Sequence, residues 1–282
     1  MSKLEPLLSP NLHCLCGSAQ MQRCFVYHTP PAGETQFPMT TGVPYYREFY
    51  RCTHCGHFIS VHTLNLSTLY TGAYAAATYG LSGIRRNFER INSLPPEKSD
   101  NIGRVHTILA FASSHLQAGS DTPHTPSVLD VGSGLCVFLS LMKKAGWECT
   151  ALDPDPCMVE HAREVVGVKA HCGDFMEVDD LGRFDIITFN KVLEHVADPV
   201  AMLRRSIRFL NPGGFVYVEV PDGDAAAQDG QDREEFFIEH LHVFSPESLR
   251  VLAAKAGFTV FARERLREPS GKYTLRTFLK RA

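Results

Sequence analysis

The chain has 282 residues, of which 44% are hydrophobic and 21% charged, and its formal net charge is −3. These values exclude a disordered or membrane-embedded chain, and they give no overall electrostatic reason to expect a nucleic-acid binder. The length predicts one full domain with a smaller appendage. No apolar run approaches the roughly 18 residues of a membrane helix, and the start lacks a signal-peptide core. We therefore expect a cytoplasmic protein without a membrane partner.

Three regions differ in composition along the chain. Residues 1–65 are rich in Cys, His and Tyr, residues 66–126 have a helical pattern that ends in the polar linker QAGSDTPHTPS, and residues 127–282 alternate strand and helix signals. The sequence therefore predicts a small N-terminal module, a helical connector with a linker, and a large α/β domain.

The first region contains two short loops of metal-ligand type, HCLCG at 13–17 and CTHCG at 52–56. Two thiolates three positions apart can share one tetrahedral zinc ion, which predicts a small zinc-ribbon-like module. Four protein ligands would make the zinc structural, since catalytic zinc usually keeps a position for water or substrate. A buried cluster of reduced cysteines is the competing interpretation. The shared x-x-Cys-Gly register favours His13, Cys16, Cys52 and Cys55 as ligands, with Cys14 in place of His13 as the open alternative.

The connector carries tyrosines and arginines that could cover a ligand. Tyr70, Tyr74 and Tyr79 fall in or beside LYTGAYAAATYG, and Arg85 and Arg86 follow. Tyrosines on an amphipathic helix more often serve packing. Two arginines suit either an anionic ligand or a solvated helix face. A lid and a packed helix are therefore both open interpretations of this region.

Apolar runs bounded by turn residues recur through residues 127–282 at spacings that leave room for helices. The last two runs follow each other without a helix, so they should form an antiparallel hairpin. The alternation is typical of a seven-stranded, doubly wound, Rossmann-like sheet. The predicted strands are VLDVG, ECTALD, VKAHCGD, FDIITFN, GFVYVEV, FTVFARERL and TLRTFLKR.

The first of these strands ends in a glycine turn, after which a helix is expected from Cys136. Gly132, Ser133 and Gly134 reduce the bulk of the turn, so a ligand can approach the backbone and the helix N-terminus. Asp130, near the end of the strand, is predicted to reach an ammonium group of the ligand. The turn is therefore a predicted cofactor-binding element.

Further residues follow the next strands at the same edge of the sheet, where ligands bind in such folds. Asp153 ends the second strand 23 residues after Asp130, which suits a carboxylate that accepts hydrogen bonds from two ribose hydroxyls. Pro154 then ends that strand. The acid and the aromatic residue after the third strand are predicted to meet an adenine ring, and two polar residues close the fourth. These four residues are Asp174, Phe175, Asn190 and Lys191.

The series DVGSG, ALDPD, GDF, FDIITFNKVLEHVADP and LNPGGFVYVEVPD resembles class I S-adenosylmethionine-dependent methyltransferases over roughly residues 105–282. The resemblance implies the seven-stranded methyltransferase sheet, with S-adenosylmethionine at the glycine turn. A dinucleotide-binding enzyme is the nearest rival, since an acid roughly 20 residues after the glycines also serves a nicotinamide ribose. Cys136 stands near the position of that motif's third glycine, which weakens the close approach of a pyrophosphate. The later segments GDF, FNKVLEH and PGG also favour a methyl-donor site over a dinucleotide site.

Glu194 and His195, within VLEHVADP, look like an acid and base pair. The segment resembles one that many class I methyltransferases carry after the fourth strand, whatever their substrate. The resemblance implies a positioning role rather than proton transfer, with capping or packing as the other interpretation.

The paired-cysteine start, the Tyr-rich segment and IEHLHVFSPESLRVLAAKAGF together resemble nucleotide-sugar C-methyltransferases and related enzymes of glycan and secondary metabolism. In the C-methyltransferases the matching Glu-His pair is catalytic, and the resemblance carries this role to Glu239 and His240. Their nearby tyrosine falls at Phe237, and this sequence ends after the core sheet where theirs continues. The expectation is therefore methyl transfer to a small carbohydrate-like or metabolite acceptor.

A histidine near neutral pKa can take a proton from the acceptor, with Glu239 orienting His240 and with His242 as an equal alternative. The same segment could merely lead into a helix, with Ser245 as its N-cap. Two other functions stay open. One is a ribosomal RNA base methyltransferase with a zinc ribbon, which the near-neutral charge fits less well. The other is a non-catalytic adaptor that binds the cofactor and recruits a partner.

Overall fold

A computed structural model describes residues 12–34, 44–64, 83–116 and 125–282. Strands β1 (Met21–Tyr27), β2 (Arg47–Cys52) and β3 (Phe58–His62) form the N-terminal part, and helices α1 (Gly83–Asn92) and α2 (Asp100–His115) follow. Within these ranges, no helix combines the length and the apolar character that a membrane crossing needs.

The large domain alternates strands and helices as predicted. Its first strands are β4 (Ser127–Val131), β5 (Glu148–Asp153), β6 (Lys169–Cys172), β7 (Phe184–Asn190) and β8 (Leu210–Pro221). The short strand β9 (His242–Val243) precedes β10 (Phe258–Arg267) and β11 (Tyr273–Arg281). The helices are α3 (Val137–Lys144), α4 (Pro156–His161), α5 (Pro199–Arg205), α6 (Gly223–Ala226) and α7 (Pro246–Ala256).

The seven long strands of the large domain form one sheet in the order β6-β5-β4-β7-β8-β11-β10. Strands β4 to β8 are paired in parallel, whereas β11 is antiparallel to both β8 and β10. The predicted seven-stranded, doubly wound α/β sheet with its final hairpin is therefore confirmed. The strand order reverses at β4, and open α/β sheets bind ligands beside such a point.

Helices cover both faces of this sheet. Consecutive residues of β4 point to opposite faces, as in any strand: Val128 packs in the layer that contains Ile108 of α2, and Leu129 packs in the layer that contains Leu203 of α5. Helix α7 joins the second layer through Leu249. The sheet is consequently buried on both sides, and its carboxyl edge is left for a ligand.

Two local predictions have clear outcomes at helix N-termini. Helix α3 begins at Val137, one residue after the expected start, because Cys136 has a left-handed backbone with φ of 55°. Ser245 is the N-cap of α7: its hydroxyl accepts a hydrogen bond from the Ser248 N–H at 3.0 Å. In return, the Ser245 N–H donates to the Ser248 hydroxyl at 2.9 Å, which completes a reciprocal cap.

The N-terminal strands form a second, smaller sheet in the order β1-β2-β3-β9, so its fourth strand comes from the large domain. Phe236, fully buried, places its ring edge-on against Phe25, Phe49 and Phe58 of this sheet. Arg47, also fully buried, donates a hydrogen bond to the Phe236 carbonyl. The small sheet is thus packed against the segment that precedes α7.

Candidate active site

The glycine turn after β4 has the backbone that the sequence predicts. Gly132 and Gly134 have positive φ values of 68° and 48°, which other residues adopt only with strain. A Cβ atom on Gly132 would lie 2.8 Å from a methyl carbon of Val192, whereas one on Gly134 would meet no atom within 4 Å. The turn therefore offers bare backbone beside open space, which a ligand can approach closely.

Asp153 stands at the end of β5 and faces this turn. One of its carboxylate oxygens accepts a hydrogen bond from the Gly134 N–H at 2.8 Å, and the other accepts one from the Asp155 N–H at 3.0 Å. Burial raises the pKa of Asp153 despite these two donors. Each oxygen retains a second lone pair, so the carboxylate can still accept hydrogen bonds from a ligand's hydroxyls.

A cavity of about 570 Å³ opens at this edge of the sheet. Seven of the residues predicted to bind the cofactor line it: Gly132, Gly134, Asp153, Pro154, Asp174, Phe175 and Lys191. Its apolar wall was not predicted and includes Met158, Val192, Val196 and Met202. Bare glycine backbone, three acids (Asp153, Asp155 and Asp174) and an apolar wall fit a nucleoside-type ligand.

The other three predicted residues, Asp130, Ser133 and Asn190, lie outside the cavity lining. One Asp130 oxygen accepts hydrogen bonds from the Thr188 hydroxyl at 2.6 Å and from the Asn190 amide at 2.8 Å. Burial raises the pKa of Asp130 to about 7. In this arrangement Asp130 fixes the neighbouring strand β7, and its contact with a ligand's ammonium group stays a prediction.

Lys191 lies directly after β7 and has a left-handed backbone with φ of 60°. Its ammonium group donates a hydrogen bond to the Thr274 hydroxyl at 2.8 Å and lies 3.8 Å from the Glu219 carboxylate. Burial lowers the pKa of Lys191. The strained residue therefore links the cavity wall to β8 and β11.

A cluster of one acid and two histidines lies beside the cavity. One side-chain oxygen of Glu194 and one ring nitrogen each of His195 and His240 all lie within 4.8 Å of one another. His195 lines the cavity, and its ring centroid is 4.9 Å from that of His240. Glu239 and His240, predicted as catalytic, lie outside the lining but next to a histidine that belongs to it.

Backbone carbonyls hold both histidine rings. His195 Nδ1 lies 2.8 Å from the Glu239 carbonyl oxygen, and His240 Nδ1 lies 2.8 Å from that of Glu235, so each Nδ1 carries the donated hydrogen. Burial lowers the pKa of both rings. The neutral rings therefore keep Nε2 as the basic nitrogen.

The four sulfur atoms of Cys14, Cys16, Cys52 and Cys55 converge in the N-terminal part and lie within 4.8 Å of one another. Cys14 and Cys55 sulfurs are 3.4 Å apart, and Cys16 and Cys52 sulfurs are 3.7 Å apart. Tetrahedral zinc with bonds of about 2.3 Å requires sulfurs about 3.8 Å apart. The hydrogen bond from Cys14 lowers the pKa of Cys55 to about 5. The donor set fits zinc.

The sequence favoured His13 over Cys14, whereas the side chain that belongs to the cluster is that of Cys14. His13 is exposed and does not belong to the cluster. The two loops differ by one residue: the Gly56 N–H bonds to the carbonyl of Cys52, four positions back, whereas the Gly17 N–H bonds to that of Cys14, three positions back. The shorter turn places Cys14, rather than His13, at the position in the first loop that corresponds to Cys52 in the second.

The proposed lid is described only in part. Tyr70, Tyr74 and Tyr79 lie outside the described residues. Arg85 and Arg86 are exposed on α1, and Arg85 pairs with Glu89 one turn further on at 2.9 Å. Neither arginine lines the cavity.

The strand order, the glycine turn and the acid at the carboxyl edge define a class I methyltransferase fold. A family model described as a methyltransferase domain matches residues 85–262, and the chain belongs to this family. The chain is also similar to the ubiquinone biosynthesis O-methyltransferase of Xanthomonas oryzae pv. oryzae, with 33% identity over 107 residues. That match covers 36% of this chain and 45% of the relative, so it spans less than half of the relative's length.

Two solved structures share the fold. The magnesium protoporphyrin IX methyltransferase of Synechocystis PCC 6803, with bound S-adenosylhomocysteine, has a TM-score of 0.54 at 15% identity, covering 73% of this chain and 97% of the other. The 1,6-didemethyltoxoflavin N1-methyltransferase of Burkholderia thailandensis has a TM-score of 0.53 at 19% identity, covering 82% and 97%. At these identities the likeness establishes the fold.

Proposed function

We propose that the protein transfers a methyl group from S-adenosylmethionine to a small, carbohydrate-like or metabolite acceptor. Bound S-adenosylmethionine supplies an electrophilic methyl carbon on a sulfonium centre. The Asp153 carboxylate accepts hydrogen bonds from its ribose hydroxyls, Asp174 and Phe175 contact its adenine, and the glycine turn receives the remainder. The two solved methyltransferases that share this fold contain bound S-adenosylhomocysteine, the product of that cofactor, which supports the assignment.

The acid–histidine cluster carries the proposal for the acceptor side. Glu194 is fully buried, Glu239 is 9% exposed, and both histidines are half-buried. A recessed cluster of this kind suits a small molecule that enters beside the cavity. A folded RNA would instead need an exposed electropositive surface. We propose that His240 accepts the acceptor's proton and that the backbone carbonyl of Glu239, which accepts a hydrogen bond from His195 Nδ1, holds His195 beside it.

Calorimetry with S-adenosylmethionine tests the cofactor site. We expect binding to the wild-type chain, a loss of at least tenfold in Asp153→Ala, and a smaller loss in Asp153→Asn, which keeps the shape and one acceptor oxygen. Asp180→Ala, at an exposed aspartate outside the cavity, is the matched control and should bind normally. Equal affinities for all four proteins would refute the site.

The acceptor class is tested with methyl-labelled cofactor and fractionated cell extract. Label in small glycans or metabolites is the expected result. Label in RNA would instead support the ribosomal RNA base methyltransferase. Cofactor binding without any labelled product would support the non-catalytic adaptor.

We further propose that Cys14, Cys16, Cys52 and Cys55 hold one structural zinc ion. The four thiolates complete a tetrahedral shell, which leaves no position for substrate. Metal analysis of the purified protein should find one zinc per chain, lost in Cys14→Ser but retained in His13→Ala. Cys24→Ser is the matched control, because Cys24 lies outside the cluster and its thiol donates to the Phe49 carbonyl. Zinc-free protein, with folding indifferent to chelator, would contradict the assignment.

A further inference from the structure

The carboxyl group of Glu194 is buried in a way that ordinary folding does not require. Glu194 is 0% exposed, and neither carboxyl oxygen accepts a hydrogen bond from another described residue. An ionised carboxylate in such a place is unfavourable unless it is paired with a positive charge. Buried acids of this kind are concentrated at functional sites, where their ionisation is used.

The position of Glu194 points to a use next to the histidines. A Glu194 oxygen and a His240 ring nitrogen lie within 4.8 Å of each other. His240 donates its Nδ1 hydrogen to the Glu235 carbonyl, so Nε2 is the atom that can take up a proton. The carboxylate of Glu239, the neighbour of His240 in sequence, acts on His195 and offsets part of the lowering of that ring's pKa by burial. The Glu239 backbone carbonyl also accepts the His195 Nδ1 hydrogen.

We infer that Glu194, rather than Glu239, is the acid that positions and charge-compensates His240 while that ring removes a proton from the acceptor. This inference rests on the proposed methyl transfer. The acceptor's X–H bond breaks, where X is the methylated atom, and its proton joins Nε2 of His240. The electron pair of that bond forms the new X–C bond with the methyl carbon, and the pair of the broken C–S bond stays on sulfur.

The role of Glu194 follows from the charge that this step creates. His240 is half-buried, and the desolvation that lowers its pKa also makes its imidazolium costly without a partner. The Glu194 carboxylate supplies that partner across less than 4.8 Å. After transfer, the proton leaves His240 for solvent and the neutral ring is restored. Glu194 is therefore a positioning residue that acts through His240.

The surroundings of Glu194 determine when it is ionised. Burial is the largest influence and raises the pKa of Glu194 to about 7. Lys191 and Lys272 lower this pKa, and Glu219 raises it further. The two histidines of the cluster are neutral near pH 7. A carboxylate opposite a neutral His240 is consequently available just above neutral pH. The groups that face Glu194 are Lys191, Lys272, Glu219, His195 and His240.

Histidine-selective ¹⁵N NMR titration of the intact 282-residue chain tests the inference without an acceptor. The chain has 13 histidines, so a His240→Gln variant assigns the signal. We expect Glu194→Gln to lower the pKa of His240 by about 1 to 3 units, as loss of an opposite charge within about 4–6 Å does. Glu239→Gln should change it little, and Glu194→Asp should restore part of the wild-type value.

Three outcomes of this titration would overturn the inference. They are an unchanged His240 titration in Glu194→Gln, equal changes in the two glutamine variants, and a ring that stays neutral in every variant down to the acid limit of folding. Calorimetry with S-adenosylmethionine provides the folding control. Because Glu194 lies outside the cavity lining, Glu194→Gln should bind the cofactor normally.

The pH profile of methyl transfer gives a second readout, with the extract fraction that accepts label as the probe. The wild-type rate should rise through the ionisation of Glu194. Glu194→Gln should lose this inflection and about 100-fold in rate, with partial recovery in Glu194→Asp. An unchanged profile in Glu194→Gln overturns the inference. Absence of transfer by the wild-type protein would instead refute the proposed function, and the NMR result would still decide the role of Glu194.

Discussion

Replacing Glu194 by Gln is expected to stabilise the fold increasingly as the pH rises. Burial raises the pKa of this carboxyl from 4.5 to about 7, so at intermediate pH the folded state holds a proton that the unfolded state releases. The stabilisation of the wild-type fold by this bound proton is fully present below pH 4.5 and is lost as the pH rises through about 7. The difference in pKa corresponds to roughly 3 kcal/mol. Roughly 2 kcal/mol of this is lost between pH 5 and pH 8.

Urea unfolding at a series of pH values measures this effect, with the fluorescence of the single tryptophan, the buried Trp147, as the signal. Glutamine cannot ionise, so the free energy of unfolding of Glu194→Gln minus that of the wild type should grow by roughly 2 kcal/mol from pH 5 to pH 8. Glu177→Gln, at an exposed glutamate, is the matched control and should run parallel to the wild type. Parallel curves for Glu194→Gln as well would refute the description of Glu194 as a costly buried carboxylate.

Three further substitutions test the cavity, the small sheet and a buried ion pair. Gly132→Ala should abolish cofactor binding in calorimetry, because the added Cβ would collide with the cavity wall. Gly182→Ala is the control, since Gly182 also has a positive φ but faces open space. It should lower the free energy of unfolding by about 1 kcal/mol and leave cofactor binding unchanged. Phe236→Ala should cost about 3–5 kcal/mol in chemical unfolding and speed proteolysis of the small sheet. Arg104→Met should lower the free energy of unfolding by about 3–5 kcal/mol, because it removes a bidentate partner of the fully buried Glu219. The double variant with Glu219→Met should lose less stability, because no unpaired carboxylate is then left in the core.

Local sequence signals predicted the large sheet almost strand by strand. ECTALD and FDIITFN coincide with β5 and β7 because each is a short apolar run bounded by turn residues. The N-cap at Ser245 was also predictable, since a hydroxyl, a proline and an acid at successive positions are local capping chemistry. Residues whose roles depend on neighbours in the chain were therefore predicted well.

Residues whose roles depend on tertiary placement were predicted less well from the sequence. The metal-ligand pattern left His13 and Cys14 both open, and only the backbone hydrogen bond of the first turn selects Cys14. Glu194 and His240 are 46 residues apart, and no spacing rule connects them. They come close because the loop that carries His240 folds back and hydrogen-bonds to the residues that follow β7. The prediction of Glu239 as the partner came from the resemblance to the Glu-His pair of the nucleotide-sugar C-methyltransferases, in which the two residues are adjacent in sequence.

The loop that carries His240 also explains how the N-terminal cysteines relate to the cavity. The Leu241 and His242 N–H groups donate to the Glu194 carbonyl at 2.8 and 3.1 Å, and the ring nitrogens of His242 and His57 lie 3.1 Å apart. Three residues after His242, the Ser245 hydroxyl donates to the Cys55 carbonyl at 2.5 Å.

A two-residue strand such as β9 is too short to hold its own position, so these contacts and the edge of β3 must fix it. One side of the loop is thus attached to the cysteine cluster and the other to Glu194. Because the same short segment carries His240, we expect the zinc ion proposed for the four cysteines to stabilise the geometry of the acid–histidine cluster without contacting any substrate.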